Sequence, residues 1–255
     1  MAVQQRVLIT GGASGIGRAI ADCCLDEGAR VHICDIDEVA LDQAVRDTQG
    51  LSGSHCDVGI ADRVARLFDD VEDSLGGIDV LVNNAGIGGG DAAIEDIDVK
   101  EWRRTMDVNL NSMFYCIQRA TPYMKANKSG SIINISTVSV RTGMNNRLPY
   151  ITSKQGVMGL THNVARELGP WNVRCNAILP GLIDNERGRA ILARKAESEG
   201  KSLKETEKEY LKYISMRCWI EAKEVGDLVV FLSSERAKHI SGQFIAVDGH
   251  MEWEA

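Results

Sequence analysis

A doubly wound α/β fold, one parallel sheet of about seven strands with helices on both faces, is what this 255-residue sequence predicts. Three observations predict it. Short apolar runs alternate with stretches of helical periodicity from one end to the other. The runs are apolar almost without interruption, as strands buried on both faces must be. No repeat or low-complexity linker divides the chain, so residues 1–255 read as one domain, a usual length for an open α/β sheet.

The candidate strands, in order, are Val7–Thr10, Arg30–Cys34, Gly53–Cys56, Val80–Asn83, Ser131–Ser136, Val173–Leu179 and Gln243–Val247. Amphipathic helical stretches lie between them, such as Ile16–Glu27 and Asp62–Leu75. In sheets of this kind ligands bind at the carboxyl ends of the strands. One segment breaks the rhythm. Residues 183–215 are rich in Arg, Lys and Glu and read as two exposed helices broken near Gly200. Because the segment follows the sixth strand at the ligand edge, a substrate lid is expected. A solvated surface excursion is the alternative.

Composition narrows the function classes. Apolar residues make up 44% and charged residues 25%, ordinary for a globular protein. A net charge of -7 and the lack of any Lys/Arg block argue against nucleic-acid binding. No segment reaches the roughly 20 apolar residues of a membrane span. The opening stretch Met1–Thr10 has neither a basic head nor a long apolar run, so a cytoplasmic protein is expected. The seven cysteines are scattered without C-x-x-C spacing. They read as small buried residues in a reducing compartment, and no metal is expected.

The first strand runs into Thr10-Gly11-Gly12-Ala13-Ser14-Gly15-Ile16-Gly17. Glycine there permits a tight turn and close backbone approach to a pyrophosphate, and the following helix offers free N–H groups to phosphate. Gly11, Ser14, Gly15, Ile16 and Gly17 are therefore candidates to hold a dinucleotide. The second strand ends in Cys34-Asp35-Ile36-Asp37. A carboxylate at Asp35 accepts hydrogen bonds from ribose hydroxyls and repels a 2′-phosphate, and no nearby Arg or Lys follows to hold one. NAD is expected over NADP, with Ile36 beside it. The alternative role for Asp35 is a helix N-cap.

The spacing of this turn resembles the TGxxxGxG of the short-chain dehydrogenase/reductase family, whose sheet is of Rossmann type. The match continues along nearly the whole chain. Cys56-Asp57-Val58 resembles the segment that meets the adenine. Asn83-Asn84-Ala85-Gly86 matches NNAG, Asn109 lies in MDVNL, and Tyr150-Ile151-Thr152-Ser153-Lys154 matches YxxxK. Pro180-Gly181 and Val247-Asp248-Gly249 also fit. The resemblance implies cofactor contacts from Asp57, Val58, Asn84, Ala85, Gly86, Tyr150, Lys154, Pro180, Gly181 and Ile183. It implies a homo-oligomer, tetramer or dimer, packed through the helices of residues 100–126 and 150–168.

Elementary chemistry agrees with the resemblance. Tyr150 and Lys154 are four apart and share one helix face, and Pro149 suits a first helical turn. A phenol is a poor base at neutral pH, and a neighbouring ammonium stabilises its phenolate. The tyrosine then takes the alcohol proton as hydride leaves carbon for the nicotinamide. The resemblance also gives Lys154 the nicotinamide ribose and Asn109 a water in a proton relay.

The sequence departs from the family pattern in three places. A serine is usual about thirteen residues before the tyrosine. Here Asn134-Ile135-Ser136-Thr137 puts Thr137 in its place, with Ser136 and Ser139 as alternatives. Asn185 stands where a threonine is frequent, and its amide could meet the nicotinamide carboxamide. His250 stands where a glycine is frequent.

The stretch Gly143–Pro149 is expected to line the substrate cleft. Arg147 could fork onto a carboxylate or sulfonate. The region is similar to that of family members acting on hydroxy acids, and Arg187 and Arg189 could add charge. Alternatively Arg147 bridges subunits or loop carboxylates. The expected function is NAD-dependent interconversion of a small secondary alcohol, a hydroxy acid or another anionic one, and its ketone. The alternatives are a dehydrogenase for a neutral polyol, sugar or cyclic alcohol, and a non-catalytic NAD-binding protein.

Overall fold

The structure is a computed structural model that describes residues 4–252. Met1–Val3, the head of the expected opening stretch, and the last three positions of the expected domain lie outside the described residues.

Seven strands form one sheet: β1 (Arg6–Thr10), β2 (Arg30–Asp35), β3 (Leu51–His55), β4 (Val80–Asn83), β5 (Gly130–Ile135), β6 (Val173–Pro180) and β7 (Phe244–Val247). Their order is β3-β2-β1-β4-β5-β6-β7, with every neighbour parallel. Successive side chains of a strand point to opposite faces. Val7 and Ile9 therefore join one core and Leu8 the other. That is why the central runs at residues 7–9 and 80–82 are apolar at every position rather than at alternate ones, whereas the edge strand β3, Leu51-Ser52-Gly53-Ser54-His55, is largely polar. Strand order reverses between β1 and β4, and the crevice beyond their carboxyl ends is the ligand edge.

The helices are α1 (Gly15–Asp26), α2 (Glu38–Asp47), α3 (Ala61–Leu75), α4 (Val99–Met106), α5 (Ser112–Asn127), α6 (Leu148–Leu168), α7 (Glu186–Glu199), α8 (Leu203–Leu211) and α9 (Ala222–Ser233). Ile20 of α1 and Val225, Val229 and Leu232 of α9 cover one face, and Leu67 of α3 and Cys116 of α5 the other. The helical stretch expected over residues 100–126 is present, and its backbone stays helical throughout. A π turn at Asp107–Asn111 separates α4 from α5. Asp35 ends β2, and the N-cap of α2 is Asp37, whose Oδ1 accepts from Ala40 N at 3.0 Å. The capping alternative for Asp35 is thereby corrected.

The charged segment after β6 forms α7 and α8. The break falls at Gly200, which takes φ 62°, a left-handed value that favours glycine. Ser202 and Glu205 then open α8 with a reciprocal capping box. Both ends of the segment are fastened. Ile183 bridges Ile220 at its entry, and Ile214 bridges Met251 at its exit. A third core of Leu179, Leu182, Ile214 and Met251 lies beneath it. His250 sits in the exit clasp with φ 61°, and its Nδ1 lies 2.7 Å from Ser215 Oγ. Among the described residues no helix is long and apolar enough to cross a membrane. Six of the seven cysteines are buried, and all seven are free thiols.

One polar group in this core gives the protein an acid limit. His32 of β2 is 2% exposed. Its Nδ1 lies 2.9 Å from both Ser52 and Ser74 hydroxyls and its Nε2 3.0 Å from Ser54, which donates to Asp70. Burial lowers its pKa from 6.5 to about 4, against an opposing pull from Asp70. The unfolded chain therefore binds a proton at His32 before the folded chain does. The stabilisation is complete above pH 6.5 and is lost as pH falls from there to about 4, amounting to about 3 kcal/mol. Urea unfolding at pH 7 and pH 4 is expected to lose this increment in the wild type and not in His32→Asn. Equal acid losses in both proteins would show that His32 is not responsible.

Candidate active site

The glycine turn lies where β1 hands over to α1. Gly11 and Gly15 take φ 63° and 55°. Gly17 is required by space: a side-chain carbon there would stand 2.0 Å from Gly11 O. The turn is clamped from β4. Asn84 Nδ2 donates to Thr10 O and Gly11 O at 3.0 and 2.8 Å. Thr10 Oγ1 accepts from the backbone N–H of Asn84 and Ala85 at 3.0 and 3.1 Å. Thr10 is thus a structural partner of the NNAG segment that sequence reasoning passed over. The threonine directly before the first glycine was its signal.

A cleft of about 1800 Å³ runs from this turn along the ligand edge. At one end lie Asp35 and Ile36, then Asp57 and Val58. Asp35 accepts from Ala13 N and Asp37 N, both at 3.1 Å, so its carboxylate is fixed at the rim beside the turn. Gly11, Ser14, Gly15, Ile16, Asn84, Ala85 and Gly86 line the middle. Gly17 lies behind the turn, in packing contact, and is not part of the lining. Pro180, Gly181 and Ile183 close the floor from the end of β6. Backbone-lined turn, fixed acid and long cleft fit a dinucleotide.

Tyr150 and Lys154 line the other end. Tyr150 is in the first turn of α6, after Pro149. Lys154, one turn on, is buried, and its Nζ donates to Ile135 O at 2.8 Å. Desolvation, with Arg187 adding repulsion, lowers the lysine to about 7. Gly86 leaves room for it: a side-chain carbon there would stand 3.3 Å from Nζ and 3.4 Å from Asn109 Oδ1.

Asn109, in the π turn, has its amide fully engaged. Oδ1 accepts from Ile87 N at 2.8 Å, and Nδ2 donates to Ile87 O and Ser153 Oγ at 2.9 and 3.0 Å. Ser153 in turn donates to Tyr150 O at 2.7 Å. The side chain of Asn109 therefore ties the segment after β4 to the tyrosine's helix, and a water in a relay would have to use other atoms. Ser153 is a linker that the sequence reading passed over.

The hydroxyl alternatives separate. Ser136 also lines the cleft, but its hydroxyl donates to Lys154 O at 3.1 Å. Thr137 Oγ1 accepts from Ser139 N at 3.3 Å, and both Thr137 and Ser139 line the cleft. Asn185 Oδ1 accepts from Gly188 N at 2.8 Å, capping α7. Its oxygen is thus occupied, and only its NH₂ faces the glycine turn.

The cations divide as well. Arg189 points away from the cleft into Asp184 and Glu207 and stacks on Trp219, which corrects the expectation that it adds charge to the site. Arg187 reaches across the cleft, and its Nη1 donates to Gly86 O at 3.2 Å. Arg147 lies over the Tyr150 ring, 5.5 Å from its centroid. The Nη2 atoms of Arg147 and Arg187 lie 2.9 and 3.5 Å from one point, the position of a side-chain carbon at residue 88. Among the described residues, neither guanidinium meets a carboxylate.

Comparison with known proteins agrees with this arrangement. A family model described as "Enoyl-(Acyl carrier protein) reductase" matches residues 11–251. The 3-oxoacyl-[acyl-carrier-protein] reductase FabG of Thermotoga maritima is 35% identical over 246 residues, 95% of each chain. The 3-oxoacyl-[acyl-carrier-protein] reductase MabA of Mycobacterium tuberculosis is 36% identical over 249 residues, 98% of this chain and 93% of that one. Among solved structures, NAD+-bound xylitol dehydrogenase superposes with a TM-score of 0.90 at 26% identity, covering 98% of this chain and 100% of the other. An actinorhodin polyketide ketoreductase variant with NADPH gives 0.92 at 27% identity, covering 96% of each.

Proposed function

The chain belongs to the short-chain dehydrogenase/reductase family, and from that membership we propose that it is an NAD-dependent dehydrogenase for a small secondary alcohol carrying an anionic group. Oxidoreductase chemistry between CH–OH and ketone comes with the family. The choice of substrate is carried by one observation: two uncompensated guanidiniums from opposite walls meet beside the reactive tyrosine. Like charges so close repel, and a carboxylate or sulfonate between them relieves the repulsion.

The residues divide the work. Tyr150 takes the proton of the substrate hydroxyl at Oη. Lys154 stands one helical turn behind it and stabilises the phenolate as an ammonium. Thr137 donates its hydroxyl to the substrate oxygen, with Ser139 holding it in place. A bound nicotinamide supplies the hydride acceptor. Asn109 and Ser153 keep Tyr150 in register with the segment after β4. Reversal of the same steps reduces the ketone.

The preference for NAD is supported by Asp35, followed by the exposed Asp37 and Glu38, with no basic residue before Arg46. A 2′-phosphate would meet a cluster of like charge. Asp35→Ala is expected to reduce the preference for NAD over NADP by about 10–100-fold, the scale of a lost charged hydrogen bond. Dissociation constants of both reduced cofactors measure it. Equal binding of the two by the wild type would end the NAD assignment. Buried free thiols support a reducing compartment such as the cytoplasm. Exposed Phe114 of α5 and Leu148 of α6 support association into a dimer or tetramer.

The substrate is tested by following NADH formation with a hydroxy acid beside its amide or methyl ester. The acid is expected to be preferred, and Arg147→Ala to raise its KM by about 10–100-fold with a smaller effect on kcat. Arg147→Lys should already be impaired, because an ammonium cannot fork. Similar use of the neutral analogue, unaltered in Arg147→Ala, would exclude the anionic substrate and favour a polyol or cyclic alcohol. A second reading, reduction of a 3-oxoacyl thioester, is favoured by the identity to FabG and MabA. It predicts turnover of the thioester and none of the free acid.

A further inference from the structure

Two residues past β3, Asp57 is held through one oxygen by two donors. Its Oδ1 accepts from Gly59 N at 3.0 Å and from Arg104 Nη1 at 3.0 Å. Arg104 reaches over from α4, and it does so because residue 59 is glycine. A side-chain carbon there would stand 2.6 Å from Nη1. The other oxygen, Oδ2, makes no hydrogen bond among the described residues. Asp57, Val58, Arg104 and Val108 together line the cleft at the end where Asp35 lies. The Asp57 side chain is 22% exposed and that of Arg104 is 40% exposed.

Two donors on one oxygen fix the plane of a carboxylate, which a lone exposed ion pair does not. They also leave the second oxygen as a directed acceptor. Without the guanidinium, Asp57 and Asp35 would form an uncompensated pair of like charges facing a ligand whose own phosphates are negative.

We propose that Arg104 is a positioning residue for the adenine end of the dinucleotide, holding and neutralising Asp57 so that Oδ2 receives an exocyclic amine. The inference rests on the dinucleotide reading of the cleft. The chemistry recognised is a 6-aminopurine. A 6-oxopurine would set a carbonyl oxygen against the carboxylate oxygen and be rejected.

The test is equilibrium binding, read from nicotinamide fluorescence without turnover. The probes are NADH and its hypoxanthine analogue, deamino-NADH. Wild type is expected to prefer NADH by about 10-fold or more, the scale of a charged hydrogen bond against an unpaired acceptor. Arg104→Met should weaken NADH by about 10-fold and deamino-NADH by less than about 2-fold, so that the preference collapses. Arg104→Lys should restore part of it. Gly59→Ala displaces the guanidinium without deleting it and should give the same collapse. Thermal unfolding confirms that each variant is folded. A parallel loss of both ligands in Arg104→Met would make Arg104 a general structural residue and overturn the proposal, as would unchanged discrimination. If the wild type binds neither NADH nor NADPH, the dinucleotide reading itself falls. If it binds NADH and discriminates nothing at the base, only the role of Arg104 falls.

Discussion

Tyr150→Phe is expected to lower kcat by about 10²–10⁴-fold while leaving NADH binding within a few-fold of wild type. The substitution is specific in this setting. Phenylalanine keeps the ring beneath Arg147 and keeps the main-chain oxygen that accepts from Ser153. Lys154 stays anchored on Ile135 O. Only the phenolic oxygen is lost. Single-turnover absorbance at 340 nm reads the chemical step, and fluorescence titration reads the cofactor. Turnover within a few-fold of wild type would remove Tyr150 from the proton transfer. Thr137→Val in the same assay keeps shape and removes the hydroxyl. Normal activity there, with loss in Ser139→Ala, would move the donor role to Ser139.

The second large effect is expected at Gly17. Alanine would bring a carbon to 2.0 Å from Gly11 O and 2.6 Å from Asn84 Nδ2. Gly11 O is itself held by Asn84, so the turn cannot yield without breaking its clamp to β4. Overpacking of this kind costs about 1–3 kcal/mol, and more where backbone must move. NADH binding is expected to be lost together with that stability. Gly159 of α6 provides the contrast, since nothing lies within 4 Å of a carbon added there. Gly159→Ala is expected to stabilise by about 0.5–1 kcal/mol through helix propensity alone. Thermal unfolding with and without NADH compares the two. Normal cofactor binding by Gly17→Ala would show that the turn tolerates a side chain.

The central strands were legible because burial on both faces removes polar residues from them, and their short length and β-branched content set them apart from a buried helix segment. Strand ends moved by a residue or two, as at Leu51 and Phe244, where pairing continues past or stops short of the apolar run. The break at Gly200 was legible because a left-handed helix end selects glycine. The motif residues gather at one edge because each follows a strand of the same sheet or the helix beside it. What was hidden is direction. Arg187 and Arg189 are two apart at the start of α7, so roughly 200° separates them around the helix. Charge pattern alone does not say which one faces the cleft. The hydroxyls of Ser136 and Thr137 both line the cleft and differ in partner, Ser136 meeting Lys154 O and Thr137 meeting Ser139 N. The π turn carrying Asn109 has no compositional signature. The reach of Arg104 depends on a glycine forty-five positions earlier in the chain.

The segment from Ile183 to Ser215 leaves the body at Ile220 and re-enters at Met251, and both places are bridged by backbone pairing. Entry adds Asp184 N to Ile220 O at 2.8 Å and Ile220 N to Leu182 O at 2.9 Å; exit adds Ser215 N to His250 O at 3.0 Å. Two anchored points define an axle. A flap tethered at one end can trail in any direction, whereas one mounted on an axle has a single angular freedom. α7 and α8 are joined across Gly200, by Lys201 between Glu199 and Glu209, and by Arg189 to Glu207, so the two helices are held as one plate. Arg187 sits near the entry bearing, where a small rotation moves it least. Its contact with Gly86 O is therefore tied to the anchored end of the segment rather than to its far end.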